Sequence, residues 1–455
     1  MKTTSAIVSL QTGVLALMSM VATPWRADAG FTDCQPNGLD DDCDFSCAAQ
    51  AGACNVPGCG LSIDCNGNLI PDECDVPFVW DGGGDGVNWH SANNWNPNVV
   101  PNSIFAFVVI DGLASNVVLN NSAIVASVEL TNGASLLISG GNLTVGSCGM
   151  LIEGALRTKN NRTTSVLGDV TIGPDGSYEA HATATAVDTS TLEAENITVL
   201  EGPGGQEPGK LVIDRQMTVN AQGDALFDGT NAEPCNLLAF GGCRPPLLQI
   251  EGSAVLDTNG SLSFSFSVNV KIGTLLPLND DLARSGPVHH HIELGGDFIN
   301  TTNVAACFDA DGGAIMLDGA APQDYEAASF APQNVPTEFY FTNNFAFGEV
   351  EVAPGRTVNV RNDFANQPFG GAETLVVNGL TIGNAANLNA MSASIAFSQI
   401  SDLGGNLSGN INSIAQLQLP AASAWGVAAI SAAVAAAATL GIRRRIGGSR
   451  LVAGR

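Results

Sequence analysis

The chain has 455 residues, of which 44 are acidic and 17 are basic, giving a formal net charge of -27. Charged residues make up 13%, about half of the roughly 25% found in average globular domains, while 45% are hydrophobic, which argues against disorder of the whole chain. Because phosphate binding needs a basic stripe, this charge excludes nucleic acid as a partner. The length allows two or three domains, or one elongated repetitive domain.

Residues 1–29 predict a secretion signal. Lys2 precedes an apolar stretch from Ala6 to Ala22, and the segment ends in Ala27-Asp28-Ala29, the small-x-small pattern that signal peptidase cleaves. The alternative, a short buried helix, explains neither the leading lysine nor the cleavage pattern. We therefore expect an exported chain whose cysteines can oxidise.

Residues 30–76 form a cysteine-rich segment that contains one twelve-residue frame twice, starting at Asp33 and at Asp64. The two copies are identical at positions 1, 2, 5, 9, 11 and 12. Calcium takes about six to eight oxygen ligands in a tight loop, and the second copy offers such oxygens at the required spacing. We predict a tight calcium site in the second copy and a weaker one in the first. The predicted ligands are Asp64, Asn66, Asn68, the main-chain carbonyl of Ile70, Asp72 and Asp75 in the second copy, and Asp33, Asn37, Asp41 and Asp44 in the first.

The frame departs from a helix-loop-helix EF-hand, since position 12 is Asp rather than Glu and no amphipathic helix flanks either copy. It resembles the D-x-D-x-D-G-x-x-D-x-x-D loop of thrombospondin type 3 and dockerin-like repeats, and this resemblance implies calcium binding. One alternative is an acidic, disulfide-linked linker without an ion. Another is zinc, because spacings such as Cys43-x3-Cys47 would suit that metal, although an exported chain usually uses such thiols in disulfides.

Seven of the 11 cysteines lie between Cys34 and Cys74. The cysteines at frame positions 2 and 11 are expected to pair within each copy or between copies, and the sequence does not choose among the three pairings. Because seven is odd, one thiol must pair elsewhere or stay free. Cys235 and Cys243 predict a separate bridge.

Residues 77–418 consist of short apolar runs separated by Gly, Asn, Asp and Pro. One four-residue motif recurs at Leu143–Gly146, Val170–Gly173 and Leu380–Gly383. Each copy is followed by a few small residues and then by another apolar position. This order of strand, corner and strand predicts a mainly β protein with a parallel β-helix or β-solenoid body. A pair of β-sandwich domains is the alternative. Insertions are expected near 155–165, 180–192, 201–209 and 228–246.

The start of this body is rich in tryptophan. Trp80, Trp89, Asn94-Trp95 and the stretch from Pro101 to Ile110 resemble the opening segment of bacterial surface β-solenoids. We expect the three indoles to cap the open end of the apolar stack, with sugar stacking as the alternative.

Catalytic motifs are weak. Arg157, Lys159 and Arg162 form the only local basic cluster of the body, which a polysaccharide lyase would need for proton abstraction. His289, His290 and His291 are consecutive, so on a strand they cannot share one metal ion. An enzyme is therefore not the favoured interpretation.

Residues 419–455 predict a sorting tail. The charge-free run Ala424–Ile442 is long enough to span a bilayer, and Arg443-Arg444-Arg445 follows it directly. Leu419–Gly426 resembles the I-P-T-L-x-x-W-G opening of a bacterial C-terminal sorting signal, which implies a membrane-held tail that sorting machinery often cleaves. Without residues 1–29 and 421–455, the chain keeps 10 basic and 43 acidic residues, a charge that attracts divalent cations.

Together these features predict an exported, cell-surface-sorted β-solenoid with a structural or adhesive role and calcium-stabilised N-terminal loops. It would reside at the cell surface, in the outer membrane or outside the cell. The alternatives are a carbohydrate-active enzyme, similar to a polysaccharide lyase, and a polysaccharide-binding module. Expected partners are divalent cations, the sorting machinery at the membrane, and polysaccharides or other surface proteins.

Overall fold

The chain divides between Val76 and Pro77 into two compact units, each with its own architecture. The structure is a computed structural model. It describes residues 34, 39–49, 54–112, 115–159, 161–180, 190–203, 206–213, 217–229, 245–250, 254–266, 268–272, 290–300, 308–326, 347–361 and 374–413.

The described residues of the first unit contain little regular structure. Helix α1 (Asp41–Phe45) begins after Asp40, whose carboxylate accepts the N–H of Asp42, and acidic residues occupy its first turn, where they favour a helix N-terminus. A 3-10 helix, Asp72–Cys74, follows later in the unit. Both helical segments begin at frame position 9, so the two copies share this local geometry.

Three disulfides join cysteines within the first unit. They join Cys34 to Cys74, Cys43 to Cys54 and Cys47 to Cys59. The first of these connects position 2 of one copy to position 11 of the other, which confirms a link between copies. The expectation is wrong for Cys43, at position 11 of the first copy, because its partner Cys54 lies outside both frames. Cys65 is disulfide-bonded as well, so none of the seven cysteines remains as a thiolate ligand for zinc.

The second unit is a stack of parallel strands, as the sequence predicts, and through most of the stack each rung contributes strands to three faces. Strands three places apart in sequence pair side by side through most of the stack, for example Phe107 with Ser127 and Asn116 with Ser135. Among the described residues the β1–β2 pair, β1 (Phe78–Trp80) with β2 (Trp95–Asn96), is antiparallel and the other strand pairs are parallel. This β-solenoid excludes the sandwich alternative, because sandwich sheets are antiparallel.

The first face contains strands that follow the same corner in successive rungs. They are β1, β3 (Phe107–Asp111), β6 (Ser127–Thr131), β9 (Met150–Ile152), β12 (Val170–Ile172), β15 (Ile197–Leu200), β18 (Ala225–Gly229), β21 (Leu262–Phe266), β24 (Phe298–Asn300), β26 (Gln323–Glu326) and β28 (Thr357–Arg361).

The second and third faces follow in the same way. The second contains β4 (Asn116–Leu119), β7 (Ser135–Ile138), β10 (Ala155–Thr158), β13 (Ser177–Ala180), β16 (Lys210–Ile213), β19 (Leu247–Ile250) and β22 (Asn269–Ile272). The third contains β5 (Ala123–Val125), β8 (Leu143–Val145), β11 (Thr163–Val166), β14 (Thr191–Ala194), β17 (Thr218–Ala221), β20 (Val255–Thr258), β23 (Ile292–Leu294) and β27 (Phe347–Val352). Four longer strands bend across faces: β25 (Phe308–Leu317), β29 (Thr374–Ile382), β30 (Asn387–Asp402) and β31 (Asn406–Ser413).

The core forms because alternate residues of each strand point inward and stack on their equivalents in neighbouring rungs. Most of these positions are Val, Ile or Leu, and the middle of the stack adds an aromatic column. Ring centroids are 5.4 Å apart between Phe227 and Phe264, 5.8 Å between Phe264 and Phe298, and 4.6 Å between Phe298 and Tyr325. Burying each such side chain stabilises the fold by about 1.5–3 kcal/mol.

Polar side chains form hydrogen bonds between successive rungs at the corner that precedes the first face. Asn196 Nδ2 donates to Asp169 Oδ1 (2.7 Å), the N–H of Asp224 donates to Asn196 Oδ1 (2.8 Å), and the N–H of Ser261 donates to Asp224 Oδ1 (2.7 Å). The abundance of Asn and Asp between strands therefore reflects capping of backbone groups that the turn leaves without strand partners.

Among the described strand pairs, rungs differ in length, from 16 residues between the paired Ser394 and Asn410 to 38 between Val270 and Phe308. The described residues of the expected insertion at 201–209 lie between β15 and β16, as predicted. Those expected at 180–192 and 228–246 lie for the most part outside the described residues. The expectation for 155–165 is wrong, because β10 and β11 occupy those residues. There the inward Thr158 and Thr164 are hydroxyl-bearing (Oγ1–Oγ1 3.1 Å), which hides the alternation of apolar and polar residues.

Several sequence predictions concern residues outside the described ranges. These are the secretion signal at 1–29, the sorting tail at 419–455 with its apolar run, and the Cys235–Cys243 bridge. Within the described part of the chain, no helix combines the length and the apolar character needed to cross a membrane.

Candidate functional site

The second copy of the frame folds its polar side chains back onto its own loop. Asp64 Oδ1 accepts the N–H of Asn68 (3.0 Å), and Asp64 Oδ2 accepts the N–H of Leu69 (2.9 Å). Asn68 Oδ1 in turn accepts the N–H of Ile70 (2.7 Å). Gly67 and Leu69 adopt positive φ angles of 71° and 67°, which give the loop its tight curvature.

Asp75, at position 12, closes this loop. Its Oδ2 accepts a hydrogen bond from Asn66 Nδ2 (3.0 Å), and its Oδ1 accepts one from Asn68 Nδ2 (2.8 Å). The side chains at positions 1, 3, 5 and 12 are therefore brought together, and all four are only partly exposed. Asp72, at position 9, is held by the N–H of Cys65 on its Oδ1 (3.0 Å).

The carboxylates of this loop repel one another. The pKa of Asp72 is raised, first by partial burial and then by the negative charges of Asp64, Asp75 and Glu73, against the hydrogen bond from Cys65, which lowers it. A divalent cation among these oxygens would remove that repulsion.

The donor set fits calcium. The five side chains of Asp64, Asn66, Asn68, Asp72 and Asp75 offer carboxylate and amide oxygens, the hard ligands that calcium takes, and the set has no imidazole or thiolate. The structure therefore brings together the side chains that the sequence predicted for the second copy.

The first copy repeats one part of this geometry. Asp41 Oδ1 accepts the N–H of Cys34 (3.0 Å), the same bond from position 2 to position 9 that joins Cys65 and Asp72. Asp44 is 2% exposed in helix α1. Asp33 and Asn37 lie outside the described residues, so the predicted weaker ligand set is only half described.

The tryptophans of the second unit are buried. Trp80 packs edge-on against Trp95, and Trp89 does the same, each with ring centroids 4.9 Å apart. Trp89 Nε1 donates to the carbonyl of Pro101 (3.1 Å), and Trp95 Nε1 donates to the carbonyl of Trp89. All three indoles are buried in the core cluster, and the N–H groups of Trp89 and Trp95 are bonded inside it, so the sugar-stacking alternative is wrong for them.

Of the basic cluster, Arg157 lies on the second face, whereas Lys159 and Arg162 lie between β10 and β11. Arg157, directed outward from β10, forms an ion pair with Glu179 of the adjacent strand β13 (2.9 Å). A proton-abstracting base for a lyase would need to be free of such a partner.

His290 and His291 precede strand β23, and their side chains divide between the outside and the inside of the stack. His291 is 1% exposed, and its Nδ1 accepts the N–H of Ala314 (3.2 Å). His290 lies on the outer surface, with Nε2 3.0 Å from Glu351 Oε2. His289 is outside the described ranges.

His290 borders a groove of about 230 Å³ on the third face, which the sequence analysis missed. The contact between His290 and Glu351 joins residues 61 apart in sequence, so no local spacing could have indicated it. The groove is lined by His290, Glu349, Val350, Glu351, Gly379, Leu380, Thr381, Gln399, Ile400 and Ser401.

In comparisons with known proteins, no family model, curated protein or solved structure matches the chain.

Proposed function

We propose that the protein is an exported surface β-solenoid with a structural or adhesive role, and that a calcium ion bound by residues 64–75 stabilises its N-terminal unit. The observation that carries the proposal is the convergence of Asp64, Asn66, Asn68 and Asp75, with the carboxylate of Asp72 close enough to be repelled by its neighbours.

Export is supported by the disulfides of the first unit, since such bonds persist in oxidising compartments. It is supported further by the predicted secretion signal and sorting tail. A structural or adhesive role is supported by the stacked rungs, because such a body is stiff along its axis and presents long, regular outer faces.

In the proposed site, the carboxylates of Asp64, Asp72 and Asp75 and the amide oxygens of Asn66 and Asn68 would hold the ion. The ion would supply positive charge and fixed coordination where the unit has few apolar contacts. The residues themselves already provide the backbone curvature and the hydrogen bonds that orient these oxygens.

Calorimetric titration of the oxidised chain with calcium tests this proposal. We expect one strong binding event that Asp64→Ala removes, because Asp64 is tied to two N–H groups of the loop and occupies position 1. Glu129→Ala is the matched control, since Glu129 is exposed on the first face of the second unit. If no heat of binding is measured at millimolar calcium while the disulfides are intact, the proposal is contradicted, and the segment is an acidic linker that binds no ion.

The carbohydrate-active alternatives gain no comparable support. Arg157 is paired with Glu179, and the tryptophans expected to stack on sugar are buried.

A further inference from the structure

The groove on the third face is formed where a column of outward side chains is interrupted by a glycine. Glu349, Gly379 and Gln399 are register partners in β27, β29 and β30, and Glu351, Thr381 and Ser401 form the neighbouring column. Successive strands lie about 4.8 Å apart, so the two columns border a depression that crosses three rungs. A Cβ at Gly379 would lie 3.1 Å from Cγ of Glu349, so the absence of a side chain at this position lets the Glu349 side chain lie directly over the Gly379 backbone.

The N-terminal end of the groove is closed by a residue from an earlier rung. His290 is only 14% exposed in its side chain, and its Nε2 lies 3.0 Å from Glu351 Oε2. This contact fixes the Glu351 carboxylate at one wall, while Glu349 is exposed at the other.

The surroundings of the groove carry unbalanced negative charge. Asp257 and Glu293 are register partners, and Glu293 precedes Met316 and Glu351 in the same outward column. The pKa of Glu293 is raised by partial burial and by Asp257 and Asp318, with only His290 acting in the opposite direction. The pKa of Asp257 is raised by partial burial and by Asp318.

The lining residues define the chemistry that would bind. They contain two carboxylates, two hydroxyls, one amide and one imidazole, and no lysine or arginine. Such a lining repels anions, attracts a cation, and offers hydrogen-bond partners for hydroxyl groups. The volume is below the roughly 300–1,000 Å³ of sites for drug-sized ligands, so it suits one small ring.

We propose that this groove binds a small ligand that carries a primary ammonium group beside hydroxyl groups, the chemistry of an amino sugar. The ammonium group is held between Glu349 and Glu351, and the hydroxyl groups bond to Thr381, Ser401 and Gln399. The site belongs to the second unit and is independent of the calcium loop.

Titration of the full oxidised chain with glucosamine, N-acetylglucosamine, glucose and galacturonate tests the proposal. Glucosamine is expected to bind about tenfold or more tightly than glucose or N-acetylglucosamine, which corresponds to the loss of one ion pair of about 1.4 kcal/mol. Galacturonate is expected not to bind. Equal affinity for glucosamine and glucose would overturn the ammonium assignment, and so would binding of zinc alone without binding of glucosamine.

Variants locate the ligand. Gly379→Val places a side chain on the groove floor and displaces the Glu349 side chain, whose Cγ would lie 3.1 Å from the new Cβ. It should abolish glucosamine binding while the thermal unfolding midpoint stays close to that of the wild type. Glu351→Gln and Glu349→Gln should each weaken binding about tenfold. If Glu351→Gln does not fold, Glu349→Gln still tests the proposal, because Glu349 is exposed and its substitution should not disturb folding.

The matched control is Glu193→Gln. Glu193 points outward from β14 on the same face, in an earlier rung, and is likewise partly exposed. Its substitution should leave glucosamine affinity unchanged. Binding that is equal in the wild-type chain and in Gly379→Val would place the ligand elsewhere and contradict the proposal.

Discussion

The two units of this chain reach a defined structure by different physical means. The first leaves large apolar side chains in water, among them Leu61 (79% exposed) and Leu69 (81% exposed), and three disulfides between six of its cysteines hold it together. The second buries Val, Ile, Leu and Phe in one continuous stack. A short segment cannot bury a core of its own, whereas a repeated rung buries its inner face against its neighbours.

The difference predicts that the two units respond to different treatments. Reduction and removal of calcium should loosen the first unit and leave the rungs folded. Core substitutions should act on the second unit alone. The following experiments test this separation, from the largest expected effect to the smallest.

Phe264→Ala should have the largest effect. The Phe264 ring packs between Phe227 and Phe298, and its loss should lower the free energy of unfolding of the second unit by about 3–5 kcal/mol. Denaturant unfolding measures this change. Phe105→Ala is the control, because Phe105 is 49% exposed, and it should cost far less. A similar cost for both variants would contradict a core that depends on the aromatic column.

Removing the link between the two frame copies should come next. Cys34→Ser with Cys74→Ser opens a bond between residues 40 apart, which should cost the first unit about 2–5 kcal/mol. The pair Cys47→Ser with Cys59→Ser opens a bond over 12 residues and should cost about 1 kcal/mol less, since shorter loops restrict the unfolded chain less. Limited proteolysis reports both losses. If these variants were cleaved as readily within the β-strands of the second unit as within the first unit, the two units would not be separable in this way.

The corner bonds should contribute less. Asp224→Ala removes the acceptor for the N–H of Ser261, which should lower the free energy of unfolding by about 1 kcal/mol. Asp224→Asn keeps an oxygen at this place and should restore most of the loss. Equal destabilisation by Ala and Asn would mean that the negative charge, rather than the cap, is what matters there.

The smallest effect concerns pH. The raised pKa of Asp72 means that, without calcium, its contribution to the stability of the loop is complete below its usual pKa of 3.8 and is lost as pH rises through the raised value. Amide-exchange protection of residues 64–75, corrected for intrinsic rates, should therefore fall from pH 4 to pH 7 in the calcium-free chain. Asp72→Asn should flatten this dependence. A loop that gains protection with rising pH would contradict the assigned repulsion.

Much of the fold follows from local sequence. The recurrent motif at Leu143–Gly146, Val170–Gly173 and Leu380–Gly383 coincides with strands β8, β12 and the end of β29. In each of them, inward apolar residues alternate with outward polar ones. The insertion expected near 155–165 is wrong for a physical reason: Thr158 is buried but bonds to Thr164, so polarity no longer distinguishes inside from outside.

The two candidate sites also differ in how far the local sequence predicts them. The ligand set of the second frame copy is local, and the structure brings its side chains together within twelve residues. The groove is not local, because Gly379 and His290 meet Glu349 and Glu351 only through the register of rungs of unequal length. The pairing of Cys34 with Cys74 also depends on the folded arrangement, which the spacing of cysteines leaves open.

The most direct test of the account follows amide hydrogen exchange over the whole oxidised chain, with and without calcium, in the wild type and in Asp64→Ala. The account predicts that calcium slows exchange in residues 64–75 of the wild type, leaves the β-strands of the second unit unchanged, and has no effect in Asp64→Ala. Calcium-independent exchange of residues 64–75 in the wild type would contradict the claim that an ion stabilises the first unit.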